Sequence, residues 1–259
     1  MSYFVRLLSK NYFIFMRKLI LHFALKISGY KNFGNFKKTG EEFIINFIAS
    51  KNIKNCLDIG AHSGSFSKKL LEKKNIRVIA FEAMKENFKK LKKLEKNYQN
   101  FNCFNIALSN KRGISNIYFT NVKSQLSSIE INLKNINFLK NSKIKKKKIK
   151  TETLDNFVKN NKNLFSEKFD FIKIDTEGHD YKILVGAKKF IKDNKPKFIQ
   201  IEMNYHYLFA GENLYQFTKL LNNYEAYQIM PFNNGLYKID TSRPENNIFH
   251  LSNFLFIRK

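Results

Sequence analysis

The sequence predicts an α/β fold: a mostly parallel sheet with helices on both faces, preceded by further helices. Three observations predict it. From Asn55 onward, short apolar runs alternate with amphipathic stretches, the pattern of βαβ units. A glycine-bearing turn follows the first run, at the strand-to-helix junction where open α/β sheets bind ligands. Acidic residues end the second and fourth runs.

Residues 1–50 read as an N-terminal helical segment and 51–259 as one larger domain. Residues 3–30 mix aromatic, aliphatic and Lys/Arg residues at helical spacing. Two readings stay open for them: an interfacial amphipathic helix, or a helix packed on its own domain, which is preferred. Arg17 and Lys18 interrupt the apolar run over 12–25, so neither a spanning helix nor a signal peptide is expected. Thr39 and Glu42 fit a capping box, with Phe43, Ile44, Phe47 and Ile48 on one apolar face.

Residues 55–60, 77–82 and 101–109 then read as buried strands. Helices over 65–74 and 85–97 separate them, the second with Phe88, Leu91 and Leu94 inward. An insertion at about 111–150 breaks the rhythm. Within it 113–121 alternates as an exposed strand does, and the four lysines 145–148 suit a solvated edge or loop. Thr153 opens a helix. Alternation resumes with strand 169–175, helix 181–191, strand 197–204 and helix 214–224. Residues 226–230 and 249–258 close the sheet as an antiparallel pair. No repeat at a solenoid period and no dividing linker interrupts this order.

The chain has 259 residues, 47 Lys and Arg against 21 Asp and Glu, and a net charge of +26. Such a surface suits nucleic acid, anionic lipid or an acidic substrate. The excess is mostly Lys, spread beside Asn, Ile and Phe, as a codon bias towards A/T also produces. Functional face and compositional bias both stay open. Twenty-seven Phe with ten Gly and three Pro describe a filled core rather than low complexity. Cys56 and Cys103 lie in apolar runs without metal or CxxC spacing. Small core residues in a reduced, cytoplasmic compartment are expected.

In "LDIGAHSGSF" (57–66), Gly60 permits a tight turn and Gly64 leaves room for a ligand against the backbone. Position 62 is His, so the dinucleotide pattern GxGxxG is not met, and no P-loop Lys follows. Glu82, ending the second strand, is placed to accept hydrogen bonds from both hydroxyls of a ribose. Asp58 could face a cationic amine. Carboxylates there would repel a phosphate, so S-adenosylmethionine suits this turn better than a dinucleotide.

The chain resembles the FkbM family of S-adenosylmethionine-dependent methyltransferases over roughly residues 55–204. Six ordered pieces carry the resemblance: "CLDIGAHSGSFS", "VIAFEAMKENFKKLKK", "NIALSNKRG", "TETLDNF", "DFIKIDTEGHDYKILVGAKKFI" and "PKFIQIE". The chain departs from the family at His62 (usually Asn), Ala83 (usually Pro) and Asp180 (often Glu). The resemblance implies a class I methyltransferase domain within 51–259: a Rossmann-like, mostly parallel seven-stranded sheet between helices. It implies Asp58, Gly60, Ala61 and Gly64 around the methionine part of the cofactor, with Ser65, Phe66 and Ala83 beside that set. It further implies Glu82 on the ribose and Ala107 near the adenine, with Asn105 in reach of the adenine amine.

Asp175 ends the fourth strand, beside the methyl donor that the resemblance implies. Methyl transfer is an in-line displacement at carbon, so much of its catalysis is positioning. A hydroxyl acceptor must lose its proton as the new bond forms. A carboxylate with an ordinary pKa of about 3.9 takes it in the transition state. Asp175 is the first catalytic candidate, followed by Glu177, His179 and His206. Glu202 and His206 follow the fifth strand on the same sheet edge. Glu177 and Asp180 have a second explanation, as acids in the first turn of a helix. Asp175, Glu177 and a further oxygen ligand could hold Mg²⁺ or Ca²⁺; the ligand set is incomplete in the sequence and no metal is expected. Tyr205, Tyr207 and Phe209 could stack on a sugar face or be ordinary core and rim residues.

The expected activity is O-methylation of a hydroxyl on a sugar, glycan or small metabolite, the acceptor class being what the resemblance implies. Two alternatives stand beside it. A nucleic-acid methyltransferase would use the charge, but "DTEG" stands where amino-directed enzymes often carry an NPPY-type motif. A non-catalytic membrane-surface protein with a vestigial cofactor fold would use residues 3–30 and the lysines. Between the two lies an active enzyme docked peripherally on the inner membrane face, where it modifies lipid-linked glycans.

Overall fold

The computed structural model describes residues 2–73, 75–120, 127–129 and 143–259. The chain opens on four helices: α1 (Ser2–Leu8), α2 (Ile14–Ile27), α3 (Phe36–Thr39) and α4 (Glu41–Ser50). Ile44, Ile45 and Ile48 form the buried face of α4, with Phe43 and Phe47 packed beside them. The expected capping box does not form. Gly40, left-handed at φ 80°, is the N-cap of α4, and a Cβ there would meet the Met230 carbonyl oxygen at 2.7 Å. Thr39 therefore ends α3, its hydroxyl donating to Glu41 at 3.0 Å, while Glu42 accepts from Asn233 at 2.9 Å.

Beyond α4 the apolar runs become strands. β1 (Asn55–Ile59), β2 (Arg77–Phe81) and β3 (Phe101–Phe104) pair in parallel. The run expected as one strand over 101–109 divides. β4 (Ala107–Leu108) turns away to pair with β7 (Lys145–Glu152), and β5 (Gly113–Phe119) and β6 (Ser127–Ser128) complete a second, four-stranded sheet. Lys145–Lys148 are strand rather than loop and form the expected edge: they pair with β5 alone, β4 reaching only Thr151 and Glu152, and Lys147 pairs with Glu86 at 3.2 Å. Residues 121–126 and 130–142 of the expected insertion lie outside the described residues.

β8 (Phe171–Ile174) and β9 (Phe198–Met203) extend the parallel set from β1. β10 (Tyr224–Ile229) and β12 (Ser252–Arg258) close it as the expected antiparallel pair, with β11 (Leu236–Lys238) added at the edge. The order is β11-β10-β12-β9-β8-β1-β2-β3. The seven expected strands are present, and the eighth is a three-residue hairpin arm.

Period-two alternation sends side chains to two cores. Leu57, Ile79, Ile172, Ile199 and Phe254 share one. It is covered by α7 (Leu154–Asn160), α8 (Asp180–Val185), α9 (Lys188–Asn194), α10 (His206–Ala210) and α11 (Leu214–Leu220). Cys56, Val78, Cys103 and Phe171 belong to the other, with α4, α5 (Ser65–Leu71) and α6 (Lys85–Asn97). Both cysteines are free and buried. A helix opens at Thr153 as expected, and the Thr153 hydroxyl caps α7 by accepting from the Asn156 N–H at 3.1 Å. The helix expected over 181–191 is two helices, α8 and α9. Gly186 lies at the break, where a Cβ would stand 2.0 Å from the Ser109 carbonyl oxygen.

Candidate active site

Strands β1, β2 and β8 run parallel and end on one edge, where their connecting turns meet. Gly60 (φ 85°) lets the turn after β1 pass the end of β8, since a Cβ there would lie 2.0 Å from the Asp175 carbonyl oxygen. The Gly60 and Ala61 N–H groups both donate to the Phe81 carbonyl, at 2.9 and 3.0 Å. A cleft opens over these turns. Phe81, Ile106, Leu108 and Ile117 supply apolar wall; Glu82, Asp175 and Glu177 supply charge. Among the described lining residues there is no Lys or Arg, in a chain of net charge +26.

Glu82 is 7% exposed. Its Oε2 accepts from the His62 N–H at 2.8 Å and its Oε1 from the Met84 N–H at 2.6 Å. Burial pushes its pKa up to about 7, against the pull of those two N–H groups. Asn105 braces the same turn, donating to the carbonyls of Glu82 and Ala83 at 2.8 and 3.1 Å.

Asp175 is held from behind by Lys173, whose side chain is 5% exposed. The Lys173 Nζ lies 2.7 Å from Asp175 Oδ2 and 3.7 Å from Glu41 Oε1. Burial alone would lower the Lys173 pKa; the charges of Asp175, Glu41 and Asp58 outweigh it and hold the ammonium above its ordinary range. Asp58 is fully buried and accepts from the Ser67 hydroxyl at 2.5 Å. Burial raises its pKa, and Lys173 is the cation whose charge opposes that rise most.

Glu177 takes φ 55°, followed by Gly178 at φ 93°, and α8 begins only at Asp180. Glu177 therefore stands in the turn rather than in the first turn of a helix, which removes the helix-dipole explanation for it. A left-handed conformation is rare for a residue with a Cβ and concentrates at functional turns. Asp180 does stand in the first turn of α8, and it accepts from the Thr176 N–H at 3.0 Å; burial pushes its pKa up to about 6. Asn204 donates to Glu177 at 2.8 Å and to Glu202 at 3.0 Å, and accepts from the His206 N–H at 2.9 Å. His206 is fully buried, with Nε2 3.2 Å from Glu177 Oε2. Burial, then the charges of Asp175 and Glu177, hold the Glu202 carboxyl well above its usual range.

Asp175, Glu177 and Glu202 each place a carboxylate oxygen within 4.8 Å of the others. Glu202 is thus the oxygen ligand that the sequence left unnamed. Such a trio could hold a divalent cation, although Lys173 and Asn204 already engage the same carboxylates.

The remaining sequence candidates fall on both sides of the cleft wall. Gly60, Glu82, Ala83, Ala107, Asp175, Glu177 and His179 line it; Asp58, Ala61, Gly64, Ser65, Phe66, Asn105 and His206 do not. Gly64, left-handed at φ 84°, is the N-cap of α5, so the turn itself calls for glycine there, and a Cβ on it would also meet the Leu91 side chain at 2.7 Å. Ala61 and Phe66 are core residues, and Phe66 stacks on Phe171. His179 is buried with Nε2 3.0 Å from the Ser109 hydroxyl. Tyr207 is fully buried against Phe217 and cannot stack on a sugar; Phe209 is 43% exposed. Sequence reasoning missed Lys173, Glu41 and Asn204. One signal was available: in "FIKID", alternation puts Lys173 on the core side with Phe171, and a buried cation requires partners.

The strand order, with one antiparallel strand inserted beside the fifth parallel one, and the acid-lined cleft at the carboxyl edge define a class I methyltransferase fold. The sequence profile of the FkbM methyltransferase domain matches residues 58–229, so the chain belongs to the FkbM methyltransferase family. Among solved structures, it is similar to methyltransferase FkbM from Methylobacillus flagellatus KT, with 15% identity and a TM-score of 0.48. That match covers 79% of this chain and 43% of the other, so the chain spans less than half of that relative. An O-methyltransferase from Bacillus cereus in complex with SAH is 12% identical, with a TM-score of 0.44, covering 93% and 90% of the two chains. The N-methyltransferase NodS from Bradyrhizobium japonicum WM9 is 11% identical, with a TM-score of 0.44, covering 85% and 93%. A comparison with curated protein sequences finds no match.

Proposed function

We propose that the protein transfers a methyl group from S-adenosylmethionine to a hydroxyl of a sugar, glycan or small metabolite. One observation carries this reading: in an FkbM-family chain of +26, the cleft at the carboxyl edge is lined by three carboxylates and, among the described residues, by no Lys or Arg. The donor set fits the cofactor. A sulfonium and an ammonium suit an acidic cleft, apolar walls suit an adenine, and Glu82 suits a ribose diol. The same set disfavours a pyrophosphate. Bound there, the cofactor supplies an electrophilic methyl group.

The chain's own residues do the rest. The His62 and Met84 N–H groups fix both oxygens of Glu82. Lys173 fixes Asp175, and Asn204 fixes Glu177, so two oriented carboxylates face the space where an acceptor would lie. Asp175 accepts the hydroxyl proton as the oxygen attacks. Glu177 is the second proton acceptor, and His206 is a positioning residue behind it. In the test, purified protein is incubated with methyl-labelled cofactor and a panel of glycans, polyol metabolites, RNA and DNA. Label on a hydroxyl, lost in Asp175→Asn while S-adenosylhomocysteine (SAH) still binds, supports the reading. Label on nucleic acid alone overturns it. Turnover abolished by EDTA and restored by Mg²⁺ would instead assign Asp175, Glu177 and Glu202 to a metal.

A further inference from the structure

Helix α2 is mostly apolar, with Lys18, His22 and Lys26 at i, i+4 spacing along one stripe, yet Leu25 is its one buried residue among those described. Phe15 is 71% exposed, Phe23 66%, Ile27 62% and Leu19 54%. A helix of this composition belongs in a core or against an apolar phase, and a bare patch of this kind marks an interaction surface. The helix is not loosely attached. At its C-terminal end the Ser28 carbonyl accepts from Gln228 at 3.1 Å and the Gly29 carbonyl from Ser252 at 3.2 Å, so it is tied to β10 and β12.

Charge decides what covers it. Residues 1–40 contain eight Lys and Arg and no Asp or Glu. A second copy packed on this face would bring two such segments together, like charge against like. An anionic surface would neutralise them. The helix has 14 residues, about 21 Å at 1.5 Å per residue, against a hydrocarbon core of about 30 Å. No helix among the described residues is long and apolar enough to cross a membrane. The geometry left is a helix lying in the interfacial plane.

We infer that α2 docks the protein onto an anionic phospholipid bilayer, its phenylalanines and leucines entering the headgroup boundary and its lysines meeting lipid phosphates. Ser252 pairs with Met203 at the carboxyl end of β9, so the helix is tied to the sheet edge on which β8 ends at Asp175. Docking brings that edge to the bilayer. The inference does not depend on methyl transfer.

The test is flotation of the full chain with vesicles of equimolar phosphatidylcholine and phosphatidylglycerol, and with phosphatidylcholine alone. The chain floats with the first and stays at the bottom with the second, and high salt releases it. The Phe15→Ser/Leu19→Ser/Phe23→Ser variant partitions at least about tenfold more weakly. So does Lys18→Gln/Lys26→Gln, whose two side chains are exposed, so it folds whether or not the serine variant does. Thermal unfolding midpoints show that each variant is folded. A wild-type chain that fails to float with the anionic vesicles overturns the inference. So does binding unchanged in both variants, or a dimer by light scattering that the serine substitutions dissociate, which would give the face to a second copy.

Discussion

The cleft and the N-terminal segment of one chain carry opposite charge. The cleft gathers Glu82, Asp175 and Glu177 with no Lys or Arg among its described lining residues; residues 1–40 hold eight Lys and Arg and no Asp or Glu. A bias towards Lys adds cations wherever solvent tolerates them. It does not add them where a cationic ligand must sit. Lys173, just behind Asp175, is a different kind of cation: buried, and paired with two carboxylates. The +26 is therefore a poor guide to the ligand, and its local absence is a better one.

Disabling the acid at the end of β8 tests the contrast hardest. Asp175→Ala lowers turnover about 10²–10⁴-fold and leaves SAH affinity within about threefold; single-turnover kinetics beside calorimetry read both. A loss of affinity as large as the loss of rate would move Asp175 into binding. Lys173→Met strands Asp175 and Glu41 without their buried counter-charge, and unfolding free energy in urea falls by about 3 kcal/mol. An unchanged midpoint would mean that the pair contributes nothing. Asn204→Ala frees Glu177 and Glu202 together and lowers turnover about 10–100-fold, the worth of a hydrogen bond to a charged group. His206→Phe then adds little on top of it, because both act on Glu177.

The smallest effect is a pH dependence. Glu82, raised by burial to about 7, must be ionised to accept from a ribose. SAH affinity therefore rises about tenfold between pH 6 and pH 8 and levels off above. Stability without ligand runs the other way. The folded carboxyl holds a proton that the unfolded one, with an ordinary value near 4.5, releases, so stability falls as pH rises from there through about 7. An SAH affinity that is flat with pH would show that Glu82 does not touch the ligand.

Much of this was legible in the sequence. Buried parallel strands announce themselves as apolar runs, so β1, β2, β8 and β9 stand where expected. Local chemistry marked Thr153 as the start of a helix and Gly60 as a turn. What failed depended on contacts remote in sequence. Gly186 is small because another element passes close, the Ser109 carbonyl lying where a Cβ would stand. The run 101–109 reads as one strand because nothing local tells Ala107 to leave for β7. The partners of Asp58, the Ser67 hydroxyl and the charge of Lys173, are invisible until the strands are laid side by side. Sequence located the acids but not what neutralises them.

The most direct measurement is a calorimetric titration of the full chain with SAH at pH 8, beside Glu82→Ala checked for native circular dichroism. Micromolar binding, weakened about a hundredfold or more by removal of the carboxylate, is the predicted result. Equal binding by the two proteins, or none by the wild type, would contradict a cofactor held at the end of β2.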